Sequence, residues 1–210
     1  GALALFPAYR LIDRSGVTGA MRARLLEVMD EAVFASAAGE LLDVDAASAP
    51  AVPMVDDILA MERLKTAVYT FEGPLQAGAI LAGAGEDTVA TLGDFGRDMG
   101  TAYQIVDDLL GVFGTEAETG KTTIGDLREG KRTVLIAYAT STPGWDELAP
   151  LLGDPELTDQ DAARIREHLI ACGARAFASG LARYFANRAL ARLAEPHIPP
   201  ALREELHPVA

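Results

Sequence analysis

Three glycines, Gly93, Gly96 and Gly100, stand inside the longest helical stretch of this chain, which runs from Glu86 to about Phe113. Each costs a helix on the order of 1 kcal/mol relative to alanine. They make sense if a second helix backbone packs closely there, since glycine has no Cβ to hold a neighbour away. No alternating strand pattern is found anywhere in the sequence. Alanine and leucine are abundant and only 6% of the 210 residues are aromatic, which favours helix over strand. The expected fold is therefore all-α, an antiparallel helical bundle, with residues 1–210 forming one domain.

The helices can be placed along the chain. Val17, Met21, Leu25, Val28, Met29 and Phe34 give residues 18–38 a helical period, which Gly39 then interrupts. Residues 45–53 are small and proline-containing, and read as a loop. Pro53, Asp56 and Asp57 suit the first turn of a helix that reaches about Phe71, where Gly73-Pro74 breaks it. A further helix ends near Ala82. Beyond the long helix, residues 114–132 form a polar, glycine-rich loop, and long ordered loops in compact domains are usually functional. Helices resume at Thr133–Thr140, around Trp145–Leu152, across Asp159–Cys172 and over Arg175–Leu193. The chain opens on GALALFPAYRLID, already hydrophobic, and reads as entered midway through a domain.

A net charge of −13 repels nucleic acid and anionic membrane, so neither is an expected partner. Apolar runs are broken well short of a membrane span, and no integral membrane protein is expected. The single cysteine, Cys172, allows no internal disulfide; it suits a cytoplasmic protein and reads as a small buried side chain. His168, His197 and His207 have no metal-ligand spacing and read as ordinary surface or helix-end residues.

Candidate chemistry concentrates in YQIVDDLLGVFG, residues 103–114. Gln104, Asp107 and Asp108 lie three and four apart, on one helix face. Adjacent carboxylates in an apolar stretch are costly to bury without a cation. Oxygen ligands with few companions suit magnesium, which keeps waters and recruits substrate phosphates. The following loop places Lys121 after Gly120, and Lys131 and Arg132 after Gly130. Mobile glycines let such cations close over phosphate. Asp126 stands between them, able to hold a lysine or a metal-bound water. Lys65, beside Thr66, sits mid-helix in a mostly apolar segment and must snorkel or meet an anion. Taken singly, each of these has an ordinary solvated reading. Their contiguity makes one site.

These motifs resemble the trans-isoprenyl diphosphate synthases, the farnesyl and geranylgeranyl diphosphate synthase family. YQIVDDLLGVFG, the later TGK and GDLREGKRT are similar to that family's second aspartate-rich region. ERLKTAVYTFEGPLQAGAILAGA resembles its lysine–threonine helix, and GELLDV, ending near Asp43, its Gly-Gln-x-x-Asp element. The resemblance implies the isoprenoid synthase type of bundle, a homodimer, and magnesium-dependent head-to-tail condensation of isopentenyl diphosphate with an allylic diphosphate. It implies that Asp107 and Asp108 bind the metal. Lys65, Lys121 and Lys131 would contact the allylic diphosphate, Thr66 and Gln104 would help stabilise the carbocation or its leaving group, and Tyr103 would bind substrate. Asp126 and Asp43 would support the lysines.

The chain also departs from the family pattern. Gly111 stands where many members carry a third aspartate, Glu40 replaces the glutamine, and Ala2 replaces an acidic residue. The first aspartate-rich motif and its paired arginines are expected upstream of Gly1. Asp56-Asp57 is not that motif and reads as helix N-terminal charge. Two other readings follow: a non-catalytic partner subunit or degenerate homologue, and a class I terpene cyclase, whose late-helix metal motif is not found.

Overall fold

The computed structural model describes residues 2–49, 51–115, 120 and 124–209. Helix α1 (Ala2–Arg14) leads through a short turn to α2 (Gly19–Ser48). Thr18 caps α2, its hydroxyl accepting from the Met21 N–H at 3.3 Å. Helix α3 (Val55–Glu62) opens on the exposed Asp56 and Asp57, as their helix-start reading requires. It runs without a break into a π-helical segment (Arg63–Glu72) and then α4 (Gly73–Leu81). Helix α5 spans Glu86–Phe113, the limits expected from the sequence. Beyond it come α6 (Gly125–Arg128), α7 (Val134–Ala139), α8 (Asp159–Ala171), α9 (Ala174–Leu193) and α10 (Pro200–Leu206). No strand occurs among the described residues.

Helix α5 lies at the centre, packed against the π segment on one side and α9 on the other. The glycine row explains the first contact. A Cβ at Gly96 would sit 2.8 Å from backbone atoms of Glu72, and one at Gly100 would sit 2.5 Å from the Ala67 Cβ. Buried Ala178, Ala182 and Ala189 give α9 the small side chains for a comparable approach. The largest core, with Ile58, Ile105, Leu135, Ile165 and Leu169, joins α3, α5, α7 and α8. A second, around Leu25, Ile80, Leu92 and Ile198, joins α2, α4 and α5. Arg97 on α5 pairs with Glu72, which is 2% exposed, so the charge of that buried acid is matched locally.

Several sequence expectations are corrected. Gly39 does not end its helix; α2 continues to Ser48. A Cβ there would lie 2.6 Å from Lys65 Cα, so the glycine serves close packing, not termination. Gly73-Pro74 does not break the chain either. The Gly73 N–H bonds to the Val68 carbonyl, a widened turn in which a proline ring that crowds the carbonyl four residues back costs less. The expected helix at Trp145–Leu152 is two 3-10 turns, Trp145–Glu147 and Ala149–Leu151. The 114–132 loop contains α6. Cys172 is half-buried, its thiol near the Leu169 carbonyl, rather than fully enclosed.

Candidate functional site

The π segment, α5 and the chain after α6 converge on a cavity of about 190 Å³. Seven of the residues singled out from the sequence line it: Asp43, Lys65, Thr66, Gln104, Asp107, Lys131 and Arg132. Lys65 and Thr66 arrive on the π segment, a backbone form that recurs at functional sites. Gly39 brings α2 against the Lys65 backbone, so that Asp43 and Glu40 reach its ammonium at 2.5 and 3.1 Å. Partial burial works to lower the Lys65 pKa, but its hydrogen bonds to Asp43 and Glu40 outweigh that, and it is raised. Glu40, which stands in place of the family's glutamine, is therefore a direct partner of the site lysine.

Lys131 is placed by a different device. Its N–H bonds to the Asp126 carbonyl at 3.0 Å, closing the end of α6. Gly130, at φ +69°, packs on Gly153, whose own N–H donates to the Leu127 carbonyl at 2.8 Å. A side chain at position 130 would both strain the backbone and meet Gly153. The Lys131 ammonium thus sits 2.7 Å from Asp108 Oδ1 and 3.5 Å from Asp126 Oδ2. Burial works to lower its pKa, but the charge and hydrogen bond of Asp108 together with the charges of Asp126 and Asp107 outweigh this, and the lysine is held firmly protonated.

The two adjacent aspartates have different surroundings. Asp107 is exposed at the cavity, while Asp108 is 1% exposed beneath it. Neighbouring residues on an α-helix project about 100° apart, which separates them. Gln104 ties the layers together: its amide N–H donates to Asp108 Oδ1 at 3.1 Å, and its carbonyl accepts from the Thr66 hydroxyl at 3.0 Å. Burial raises the Asp108 pKa, with Lys131 opposing it. Asp126 lies over Gly111, where an added Cβ would crowd its carboxylate, so the glycine in place of a third aspartate leaves room for a carboxylate from α6. Tyr103 does not line the cavity; its ring rests on Phe71 at 5.4 Å. Lys121 lies outside the described residues.

Sequence reading missed Glu62. It is 6% exposed on α3, lines the cavity and contacts Asp108. Burial, then the Asp108 charge, pushes its carboxyl well above the ordinary range. A signal was present: Glu62 stands four residues after Ile58, on the face that buries Ile58 completely. Two buried side-chain atoms here, Arg132 Nε and Thr133 Oγ1, have no protein partner, while the Glu62 and Asp108 carboxyl groups hydrogen-bond each other. Buried polar atoms are normally satisfied, so the cavity is built for something polar. No three His, Cys, Asp or Glu side chains among the described residues converge to enclose a metal ion. The carboxylates of Asp107 at the cavity and Asp108 beneath it are hard oxygen ligands of the kind that suit a divalent cation completing its shell with water or phosphate.

Beside this cavity a second, of about 870 Å³, opens between α1, α2 and α4. Val28, Met29, Ala77 and Leu81 line it, and its wall is almost wholly apolar. Glu40 belongs to its lining as well as to the Lys65 ion pair, so the apolar groove and the charged cavity share an edge. No described helix is long and apolar enough to cross a membrane.

Comparison with known proteins agrees with this arrangement. The polyprenyl synthetase family profile matches residues 1–169. The chain is 35% identical over 185 residues to geranylfarnesyl diphosphate synthase of Aeropyrum pernix, covering 87% of this chain and 57% of that protein. It is 34% identical over 143 residues to geranylgeranyl diphosphate synthase of Saccharolobus solfataricus, covering 67% of this chain and 42% of that protein. Its fold superposes with a TM-score of 0.90, at 33% identity, on a geranylgeranyl pyrophosphate synthase from Corynebacterium glutamicum complexed with isoprenyl diphosphate and magnesium; 99% of this chain and 59% of that one are covered. The chain thus spans about half the length of the relatives it matches. With the lysine–threonine turn, the paired aspartates and the Gly-Lys loop assembled around one cavity, the chain belongs to the polyprenyl synthetase family.

Proposed function

We propose that this chain carries the diphosphate-binding part of a magnesium-dependent prenyltransferase that condenses isopentenyl diphosphate head-to-tail with an allylic diphosphate. The observation that carries the reading is one cavity holding Lys65, Lys131, Thr66, Gln104 and Asp107, edged by an apolar groove. Lys65 and Lys131 are cations held in place by carboxylates, ready to face a diphosphate. Their charge stabilises the pyrophosphate that departs when the allylic C–O bond ionises. The Thr66–Gln104 pair fixes a hydroxyl and an amide at the same wall. The apolar surroundings keep water from the allylic cation until the isopentenyl double bond attacks. The proton then lost goes to the released pyrophosphate. Asp107 and Asp108 would hold magnesium, which supplies further charge neutralisation for the leaving group when bound. No Ser–His or Cys–His pair is required.

The test is prenyl transfer from labelled isopentenyl diphosphate to an allylic starter with magnesium. It compares this chain with a form extended upstream through the first aspartate-rich motif and its paired arginines. Incorporation by the extended form alone is expected. In that form Lys65→Ala should lower kcat/KM by about 10²–10³, the usual effect of losing one preorganised charge-stabilising donor. Incorporation by neither form would overturn the reading and favour a non-catalytic partner subunit. We further propose a cytoplasmic homodimer, with a second copy covering the exposed apolar face of α2 at Phe34 and Leu41. Sedimentation velocity at micromolar concentration should show twice the chain mass, and a monomer at all concentrations would refute it.

A further inference from the structure

Helix α5 meets the π segment through a contact that lacks interlocking side chains. Gly96 lies against the backbone of Phe71 and Glu72, and Gly100 against Ala67. Small residues let two helices approach closely, but they form no ridges to stop one helix sliding or rotating on the other. Polar ties stand at both ends of this smooth contact. At one end the Thr66 hydroxyl donates to the Gln104 carbonyl at 3.0 Å. At the other, about two turns earlier on α5, Arg97 grips Glu72 with a two-pronged fork. Its Nε donates to Oε2 at 3.0 Å and its Nη2 to Oε1. Glu72 is 2% exposed, and Arg97 is held in turn by Asp94 at 2.7 Å. Asp94 also faces Arg192 of α9 at 3.5 Å. The hydrogen bonds to Glu72 raise the Arg97 pKa against the opposing effect of burial, so the fork stays charged.

Stability alone gives little reason to bury such a pair. An apolar pair of similar volume often holds two helices as well or better, and the best-attested use of a buried polar contact is to fix register. A bidentate guanidinium–carboxylate pair fixes both the distance and the angle of its partners. Register matters here because the π segment carries Lys65 and Thr66, whereas Gln104 and Asp107 stand on α5. The Lys65 ammonium is tied to Asp43 and Glu40 of α2. A slip of the π segment along α5 would therefore move Lys65 relative to Asp107 and Lys131 across the cavity. We propose that Arg97 and Glu72 are positioning residues: their ion pair sets the register of the π segment on α5, and through it the place of Lys65 and Thr66. Neither lines the cavity, so they act on it through the backbone of the π segment. The inference rests on the proposed function only in taking the cavity as a diphosphate site.

The experiment uses the 210-residue chain, Arg97→Met, Arg97→Lys, and the double change Glu72→Met with Arg97→Met. Three quantities are read: the thermal midpoint, the affinity for pyrophosphate with magnesium by calorimetry, and the nuclear Overhauser contact between the Ala67 methyl and the Gly100 α protons, which reports the register directly. Arg97→Met should lower the midpoint most, because it leaves a buried carboxylate unpaired. The double variant should return to within about 4 °C of the wild type. It should still bind pyrophosphate about tenfold more weakly, what the loss of one hydrogen bond to a charged group amounts to, and its Overhauser contact should weaken. Arg97→Lys keeps the charge without the fork, and should show the same two changes to a smaller degree. A double variant with wild-type affinity, or with an unchanged Overhauser contact, would overturn the proposal and leave the pair a stability device alone. Should the double variant fail to fold, Arg97→Lys decides by the same two readouts. A wild type that binds no pyrophosphate counts against the diphosphate reading, and the Overhauser contact by itself then decides the role of the pair.

Discussion

Lys131→Ala is expected to destabilise the chain by roughly 3 kcal/mol near pH 8 in the absence of divalent ions, the lower end of what removing one partner of a buried ion pair costs. Among the described residues the lysine is the only cation paired with Asp108, which is 1% exposed and already touches Glu62. Without it, two carboxylates face each other in the core. The variant can respond by holding a proton on Asp108 to higher pH. The native state then binds more protons than the unfolded chain at pH values above the ordinary carboxylate range. Stability must therefore fall as pH rises through that window and return on acidification. The wild type should show the same slope more weakly, from the raised pKa values of Glu62 and Asp108. Denaturant unfolding at pH 5.5 and pH 8 with a chelator present, pH values set for about one carboxylate range of separation, checks both claims. A second check is the double change Lys131→Met with Asp108→Asn, which removes both charges and should recover most of the loss. A loss that is independent of pH and not recovered would mean that Lys131 acts by packing alone.

Gly39→Ala should cost about 3 kcal/mol, the upper end for overpacking a tight contact. The reason is the kind of atom it meets. A Cβ would fall 2.6 Å from Lys65 Cα and 2.8 Å from the Leu64 carbonyl carbon, with the Lys65 nitrogen closer still. These are backbone atoms and cannot rotate away, so α2 must move off the π segment. That movement also separates Asp43 and Glu40 from the Lys65 ammonium, and anion binding at the cavity should weaken with it. For a chain of this size the thermal midpoint should drop by about 6–12 °C. Gly78→Ala is the matched control. It lies in α4 with nothing within 4 Å of its added Cβ, and it should stabilise by up to ~1 kcal/mol through helix propensity. Differential scanning of the two variants should give shifts of opposite sign. Equal shifts would show that the contact at Gly39 is looser than described.

Much of this arrangement was legible in the residues. The limits of α5 follow from its acidic start and its glycine end, and the glycine row signalled the close partner that the π segment supplies. Lys65, Thr66, Gln104 and Asp107 could be nominated because each is a polar group set in an apolar run, and Lys131 because it follows Gly130 in a glycine-rich loop, and the fold does gather them around one cavity. Gly39 and Gly73-Pro74 misled because a glycine or proline looks the same in sequence whether it ends a helix or admits a neighbour. Only the distance to another segment distinguishes the two, and that distance is not a local property.

Glu62 escaped for a related reason. In sequence it is one acidic residue in a mixed stretch, Met61-Glu62-Arg63, where a solvated reading is the ordinary one. Its burial is decided by α5, which brings Asp108 against it from far along the chain. The sequence by itself determined the helical class, the order and approximate span of the main helices, and the types of residue that line the charged cavity, because helix period and residue chemistry are short-range properties. The tertiary structure decided which aspartate is buried, which lysine neutralises it, that Glu40 belongs to the site, and that α2 passes Lys65 at backbone contact. Those outcomes depend on how helices distant in sequence pack, and packing sets both the burial of a charge and the distance to its partner.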